Sequence, residues 1–173
     1  ILNTSGGGLR SALWTFTVLS NANEKLDAKL SQNLQMITGA SGGMVGAAYF
    51  REIQLRKELK TIDGNTAIFK ERLSKDLLNR LSFSASTSDL FMRYKKVVYY
   101  DKKYTQERGC EFEKELHQNL NDYLEHSLGY YKEYEKSSSI PLMIFSPTIV
   151  NDGRRLLISS QNLSFMIGND KKT

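Results

Sequence analysis

Short apolar runs and glycine-rich turns alternate in the first third of the chain. Residues 2–5 lead into a glycine cluster and then into residues 11–19, a stretch compatible with a helix. Residues 34–38 form an apolar run that ends at a second glycine cluster and precedes the small apolar stretch 44–48. Each pattern indicates a strand, a turn and a helix, and turns roughly thirty residues apart predict a right-handed βαβ crossover. Both turns would then lie at the same edge of one parallel sheet.

The remainder of the chain is charged and mostly helical in pattern. The serine-rich segment 81–89 lacks a clean period and is predicted to be a loop, and residues 137–139 predict a turn. Residues 140–145 and 154–159 flank the turn sequence Asn151-Asp152-Gly153 and predict the two strands of a hairpin. Apolar residues at helical spacing predict two amphipathic cover helices, with Ile53, Leu55, Leu59 and Ile62 in the first and Phe112, Leu116, Leu120, Tyr123 and Leu124 in the second.

Ser41 lies in the second glycine cluster, Gly39-Ala40-Ser41-Gly42-Gly43, between the predicted strand and the predicted helix. This arrangement is typical of a nucleophile elbow, in which a serine hydroxyl projects from a tight, strained turn. A β-carbon at Gly39 or Gly43 would clash with a neighbouring strand or helix. The start of the following helix would offer backbone N–H groups and a positive dipole end to a developing oxyanion.

The first cluster, Gly6-Gly7-Gly8, can turn its amides inward and form a nest for an anionic oxygen. Because both turns are predicted at one sheet edge, this loop can face the Ser41 hydroxyl.

These motifs resemble those of the patatin-like phospholipases. Gly6-Gly7-Gly8-Leu9-Arg10 is similar to the oxyanion loop of that family, and the Ser41 segment is similar to its Gly-x-Ser-x-Gly box. Residues 104–109 and 147–155 are similar to segments of long bacterial members. The resemblance implies an α/β fold of three layers, with a mainly parallel central sheet flanked by helices.

The resemblance also assigns roles to individual residues. It implies that Ser41 is the nucleophile, that the amides of Gly7 and Gly8 are the main oxyanion donors and that Arg10 supports their loop. Lipid esters, phospholipids among them, would be the substrates, and no cofactor or metal would be needed. The serine-rich segment becomes a candidate lid over the acyl pocket.

The family uses a serine-aspartate dyad, and its aspartate lies in an Asp-Gly motif on a later loop. Asp152-Gly153 is the one such pair after Ser41, but its hairpin setting favours a turn residue over a catalytic base. We therefore expect the base to lie beyond Thr173. Residues 1–173 are interpreted as part of a patatin-like catalytic domain, incomplete at both ends, that alone hydrolyses esters little or not at all.

Composition sets broad limits on the class of protein. Hydrophobic residues make up 40% and charged residues 25%, as in ordinary globular chains. Cys110 is the lone cysteine, which excludes an internal disulfide and is interpreted as a packing residue. No apolar stretch approaches the roughly 18 residues of a membrane span. The compartment is not determined by the sequence, although a cytoplasmic or membrane-peripheral location is favoured.

A net charge of +5 suits contact with anionic lipid headgroups. In residues 93–104 basic residues and tyrosines interleave, as they would at a membrane interface; the alternative, which we favour, is a strand or loop with a solvated basic face. No nucleic-acid recognition motif accompanies this segment, so nucleic acid is not expected as a partner.

His117 and His126 are both predicted in a helix that begins near Glu111, and neither follows a strand as a triad histidine would.

Two other functions stay open. The glycine loop could bind a nucleotide, although Ser11 occupies the place of the third glycine of a dinucleotide motif. The chain could also belong to a membrane-associated regulator that keeps the scaffold without turnover.

Overall fold

Residues 1–91, 96–99, 101–105 and 108–166 are described by the structure, a computed structural model. Within them the chain has a mixed α/β fold with a small three-stranded parallel sheet. The strands of this sheet are β1 (Leu2–Thr4), β2 (Met36–Gly39) and β5 (Leu142–Phe145). A second, antiparallel pair consists of β3 (Lys96–Tyr99) and β4 (Lys102–Thr105). The helices are α1 (Gly8–Lys25), α2 (Lys29–Asn33), α3 (Ser41–Glu58), α4 (Thr66–Ser74), α5 (Leu78–Phe91), α6 (Arg108–Asn119) and α7 (Lys132–Lys136), with 3₁₀ turns at Leu128–Tyr131 and Ser164–Met166.

The predicted parallel pairing of the first two strands is confirmed. β2 lies at the centre of the sheet, with Leu2 opposite Ile37 on one side and Ile37 opposite Met143 on the other. Ile37 and Met143 are fully buried, which fixes the register because a slip of one residue would turn them to the other face.

Helices α1 and α3 pack against each other next to the sheet. A β-carbon at Gly46 of α3 would lie 2.1 Å from the carbonyl oxygen of Ala12 in α1, so the two backbones approach more closely than any other residue at that position permits. Phe16 of α1 and Tyr49 of α3 pack together in the same interface, with ring centroids 5.2 Å apart and ring planes tilted by 36°. Because α1 and α3 each begin at a glycine-rich turn, this interface holds the two turns next to each other.

The predicted hairpin is confirmed in its turn and in its first strand, but the prediction of a second strand at 154–159 was wrong. The returning segment pairs only at two antiparallel bridges, Phe145 with Ile158 and Thr148 with Arg155. Between the bridges the amide of Leu156 donates to the carbonyl of Pro147 at 2.9 Å, but Pro147 has no amide hydrogen to donate in return, so a regular ladder does not form.

The prediction of a loop at 81–89 was also wrong, because these residues belong to α5. The carboxylate of Asp76 accepts hydrogen bonds from the amides of Leu78 and Asn79 at 2.9 and 3.3 Å and caps the helix start. The hydroxyls of Ser86 and Thr87 then bond back to carbonyls four residues earlier, so the serine-rich composition is compatible with the helix.

The second cover helix is shorter than predicted. α6 ends at Asn119, and Asn121 and Asp122 both take a left-handed φ of 57° that terminates the helical course. His117 is helical as predicted, whereas the helical placement of His126 was wrong. Among the helices in the described part of the chain, none has the combination of length and hydropathy that a membrane span requires.

The basic and tyrosine-rich segment lies only partly within the described residues. Residues 93–95 and 100 fall outside them, and the remainder forms the β3–β4 hairpin. Every residue of β4 is exposed, so the described part of the segment is a strand pair with a solvated basic face.

Candidate functional site

The two glycine-rich turns meet at one edge of the sheet. A β-carbon at Gly6 would lie 3.2 Å from Cβ of Ser41 and 3.6 Å from its Oγ, so the first loop borders the serine side chain directly. A β-carbon at Gly42 would lie 1.8 Å from the carbonyl oxygen of Gly8. The contact between loop and elbow therefore depends on the absence of side chains on both partners.

Ser41 occupies a strained backbone position. Its φ is +59°, a left-handed conformation that non-glycine residues rarely adopt and that costs roughly 1–2 kcal/mol. The residue is exposed and is the first of α3, with β2 ending at Gly39 two residues before it. A strained serine between a strand and a helix is the geometry that the sequence pattern predicts for an elbow.

The flanking glycines permit this turn. A β-carbon at Gly39 would lie 2.2 Å from the carbonyl oxygen of Thr4, and one at Gly43 would lie 2.3 Å from that of Ser5. Both distances are far below van der Waals contact, so the end of β1 packs on the elbow only because glycine stands at both positions. Ala40, by contrast, is extended and half-buried, and it lines the cavity described below.

Two helix starts lie beside Ser41 and the glycine loop that borders it. α1 begins at Gly8 and α3 begins at Ser41, and the amides in the first turn of a helix lack an intrahelical acceptor. Gly7 has a φ of +144°, which side chains other than that of glycine rarely permit, and Gly8 has a φ of +61°, which glycine adopts without strain. The Ser11 hydroxyl donates to the carbonyl of Ser5 at 2.7 Å and holds the loop against its own helix. Such converging amides and helix starts bind anionic oxygen.

Arg10 follows the glycine loop on α1 and is exposed. Among the described residues it has no hydrogen bond and no ion pair. The structure thus gives no contact by which Arg10 would support the loop.

An apolar cavity of about 350 Å³ opens beside Ser41. Ser41 and Ala40 stand at its elbow side, Met44 and Val45 of α3 form a second wall, and Leu128 comes from a 3₁₀ turn more than eighty residues later. The last wall is formed by the end of β5 and by residues 146–158, which leave the sheet and return to it and are called the returning arm. It contributes Phe145, Ser146, Pro147 and Ile158.

Sequence reasoning missed Leu128, Ser146 and Pro147 as site residues. Leu128 lies in a short turn without a periodic signal, and only the tertiary fold brings it to Ser41. Ser146 donates its amide hydrogen to the carbonyl of Gly39 at 2.8 Å, which extends the pairing of β5 with β2 as far as the elbow.

Asp152 lies at the turn of the returning arm. Its carboxylate accepts hydrogen bonds from the amide of Arg154 at 2.9 Å and from Nε of the same residue at 2.8 Å. These bonds lower the pKa of the Asp152 carboxyl, so it stays ionised in its pairing with Arg154. Within the described residues no carboxylate is hydrogen-bonded to Ser41, and the contacts of Asp152 are those of a turn residue.

The histidines and the cysteine lie in other surroundings. His126 stacks on Tyr130 with ring centroids 3.9 Å apart, and Nδ1 of His117 lies 3.7 Å from the Asp122 carboxylate. Neither lines the Ser41 cavity. Cys110 and His117 instead line a larger cavity of about 740 Å³ between the β3–β4 hairpin and α6. In the described part of the chain, no three histidine, cysteine or acidic residues lie close enough to hold a metal ion.

A buried ionic network fixes the wall that carries Leu128. Arg51 of α3 pairs with Glu135 of α7 where both side chains are almost fully buried, and it also donates to the carbonyl of Pro141 at 3.2 Å. Glu52 accepts from the Tyr131 hydroxyl at 2.7 Å. Burial, opposed by Glu135, lowers the pKa of Arg51, and burial together with Glu52 raises the pKa of Tyr131.

The same network of buried charges also joins α3 to β5. Glu135 also accepts from the amide of Met143 in β5 at 3.3 Å and from the hydroxyl of Ser160. Since Tyr131 is the last residue of the 3₁₀ turn that begins with Leu128, the network holds that turn on α3.

Comparison of the chain with protein-family models, with curated proteins and with solved structures gave no match in any of the three.

Proposed function

We propose that this chain carries the nucleophile and the oxyanion site of a serine acyl hydrolase that acts on lipid esters. The observation that supports the proposal best is the Ser41 backbone at φ +59° with its side chain against the Gly6-Gly7-Gly8 loop. We further propose that the three-stranded sheet is part of a three-layer fold of the patatin-like type, as the resemblance of both glycine motifs suggests.

The reaction proposed is acyl transfer in two stages. An aspartate accepts the Ser41 proton while Oγ forms a bond to the ester carbonyl carbon, and the carbonyl electron pair moves onto oxygen. The amides of Gly7 and Gly8, in the loop that Gly6 begins, stabilise this oxyanion. When the carbonyl reforms, the ester C–O bond breaks and the alcohol leaves with the proton from the aspartic acid. Water then attacks the acyl-serine in the same way and releases the fatty acid.

The apolar cavity beside Ser41 fits the acyl group of such a substrate. Its lining is almost entirely hydrocarbon, and a six-carbon ring occupies a cavity of roughly 150 Å³. The cavity of about 350 Å³ therefore suits an alkyl chain of medium length. Phospholipids and simpler lipid esters both present such a chain next to their carbonyl.

We propose that the base is an aspartate other than Asp152. Asp152 already holds Arg154 through three contacts, including an ion pair at 2.7 Å to Nη2, and gives none to Ser41. A carboxylate in that setting has its lone pairs engaged and its proton affinity lowered, which makes it a poor acceptor for a serine proton.

A second candidate function is that of a regulator that keeps the scaffold and binds lipid without turnover, since the apolar cavity beside Ser41 would hold an alkyl chain in either case. Lipid binding without covalent reaction at Ser41 would favour this alternative.

A covalent probe tests the proposal. An alkyl fluorophosphonate should phosphonylate Ser41, because Oγ forms a bond to phosphorus with the help of the same oxyanion donors while the P–F bond breaks. Since fluoride leaves without a proton, this reaction should proceed, more slowly, even where the base that ester hydrolysis needs is absent. The Ser41→Ala variant should not react, whereas Ser86→Ala, which removes an exposed serine of α5, should react as the unchanged chain does. Peptide mass spectrometry locates the adduct, and an adduct that persists in Ser41→Ala would place the nucleophile elsewhere.

Ester turnover tests the position of the base. We expect the 173-residue chain to hydrolyse a p-nitrophenyl ester little or not at all. Enzyme-like turnover that is lost in Asp152→Asn would instead make Asp152 the base.

A further inference from the structure

The arm formed by residues 146–158 leaves the sheet at the edge where Ser41 lies. At its base the amide and carbonyl of Phe145 exchange hydrogen bonds with those of Ile158, both at 2.9 Å. Pro147 and Ile158, at the same base, form part of the wall of the Ser41 cavity. The arm is therefore continuous with the mouth of the proposed acyl site.

The turn of the arm presents an apolar side chain to solvent. Val150 is 95% exposed, and Leu156 and Ile158 on the returning segment are 44% and 37% exposed. The amide of Gly153 donates to the carbonyl of Ile149 at 2.8 Å, and the amide of Ile149 donates to the carbonyl of Arg154 at the same distance. The exposure of Val150 thus belongs to an ordered turn, at a place where polar residues usually prevail.

Positive charge accompanies this apolar tip. Arg154 is paired with Asp152 within the turn, but Arg155 is exposed and has no ion pair among the described residues. An uncompensated guanidinium next to exposed aliphatic groups matches the boundary between lipid phosphate and acyl chains. The net charge of +5 adds a long-range attraction to an anionic surface.

We propose that this arm docks the molecule on an anionic phospholipid surface. Val150 enters the boundary between headgroups and acyl chains, Arg155 binds lipid phosphate, and the Ser41 cavity opens towards the lipid. The orientation of the cavity rests on the function proposed above, whereas the docking depends only on the arm.

Vesicle sedimentation tests the docking with the chain as it exists. The probe is phosphatidylcholine vesicles containing phosphatidylglycerol at about one lipid in three, compared with phosphatidylcholine alone. The chain should bind the mixed vesicles, Arg155→Glu should bind about fivefold or more weakly, and Val150→Asp should bind about tenfold more weakly. Leu78→Asp is the matched control, since Leu78 is 57% exposed on α5, and its binding should not change.

Insertion of the tip has a spectroscopic readout. In the double variant Trp14→Phe, Val150→Trp, the one remaining indole stands at the tip, and its emission should shift to the blue when mixed vesicles are added. Both positions are exposed, Trp14 to 71%, so the fold should tolerate the changes, which circular dichroism checks. Absence of vesicle binding, equal binding by the tip variants, or a tip that instead holds two copies together in analytical ultracentrifugation would overturn the proposal.

The docking and the proposed reaction can fail separately. Ser41→Ala should bind vesicles as the unchanged chain does. Vesicle binding without fluorophosphonate labelling would remove the hydrolase function and leave the docking in place. Labelling at Ser41 with unchanged vesicle binding in Val150→Asp would remove the docking alone.

Discussion

Ser41 shows at the scale of one residue how a strained backbone position is kept by its surroundings. Its left-handed backbone is strained in any residue with a β-carbon, and the neighbouring contacts of Gly39, Gly42 and Gly43 hold it there. Without these contacts the turn would relax and the hydroxyl would leave the glycine loop.

We predict that Ser41→Gly stabilises the fold by roughly 0.5–1 kcal/mol, because glycine adopts φ +59° without strain. The higher conformational entropy of glycine in the unfolded chain offsets part of the strain energy that is relieved. The melting temperature should rise by about 2 °C in thermal denaturation. Labelling by a fluorophosphonate should disappear at the same time.

Ser86→Gly is the matched control for this substitution. Ser86 lies inside α5, so glycine there should destabilise the fold by about 0.5 kcal/mol. Equal losses of stability in the two variants would mean that Ser41 is not strained.

The elbow was predictable from the sequence for a local reason. Small residues at fixed positions around Ser41 are required by the turn itself, so the requirement is visible in five consecutive residues. The cavity was not predictable in this way, because Leu128 and Pro147 reach Ser41 only through the packing of later elements. No local pattern distinguishes them from other apolar residues.

At the scale of elements, Arg51 and Glu135 join α3 to α7 across 84 positions of sequence. A buried ion pair contributes little compared with an apolar pair of the same shape, but loss of one partner leaves the other charge buried and uncompensated. The cation–π contact of Arg51 with Tyr131, at 4.4 Å, adds to the requirement that the guanidinium stay in place.

We predict that Glu135→Ala lowers the free energy of unfolding by about 3–5 kcal/mol, because it leaves the Arg51 charge buried without a compensating carboxylate. The double variant Arg51→Met, Glu135→Leu should lose much less. Urea denaturation of both measures the difference, and Arg80→Ala, which removes a largely exposed partner of Glu115, should change stability little. A double variant as unstable as Glu135→Ala would show that the pair contributes more than charge compensation.

Element types were predictable where the pattern had one dominant cause. Both glycine clusters and the turn at Asp152 met that condition, since backbone geometry determines their composition. Segment 81–89 did not, because its serines suggest a loop while the cap at Asp76 favours a helix that begins at Leu78. The spacing of apolar residues also did not predict the end of α6, because Asn121 and Asp122 terminate it through their left-handed backbone.

At the scale of the whole molecule, an aromatic cluster lies where three helices and the segment after α6 meet. Tyr49 is fully buried, with its ring centroid 5.2 Å from that of Phe16, 6.4 Å from Phe69 and 6.1 Å from Tyr123. The parallel strands that the sequence predicted account for one side of the core. This cluster required tertiary information, because its members come from four separate segments.

Burial raises the pKa of Tyr49 from 10.0 to about 12, although the Arg72 guanidinium nearby opposes the shift. The neutral phenol is thus favoured in the folded state. Its contribution to stability is complete below pH 10 and is lost as the pH rises from about 10 to about 12, because the unfolded chain releases the proton first.

We therefore predict that the free energy of unfolding falls between pH 8 and about pH 11, with about 1.4 kcal/mol of the fall due to Tyr49. Tyr49→Phe should remove that part, so its stability should depend less on pH in urea denaturation across this range. Tyr104→Phe is the control, since the Tyr104 side chain contacts water in the folded state as well as in the unfolded state. An alkaline loss that is the same in Tyr49→Phe as in the unchanged chain would mean that the phenol reaches solvent in the folded molecule, and that the α1–α3 interface behind the glycine loop opens more readily than its packing indicates.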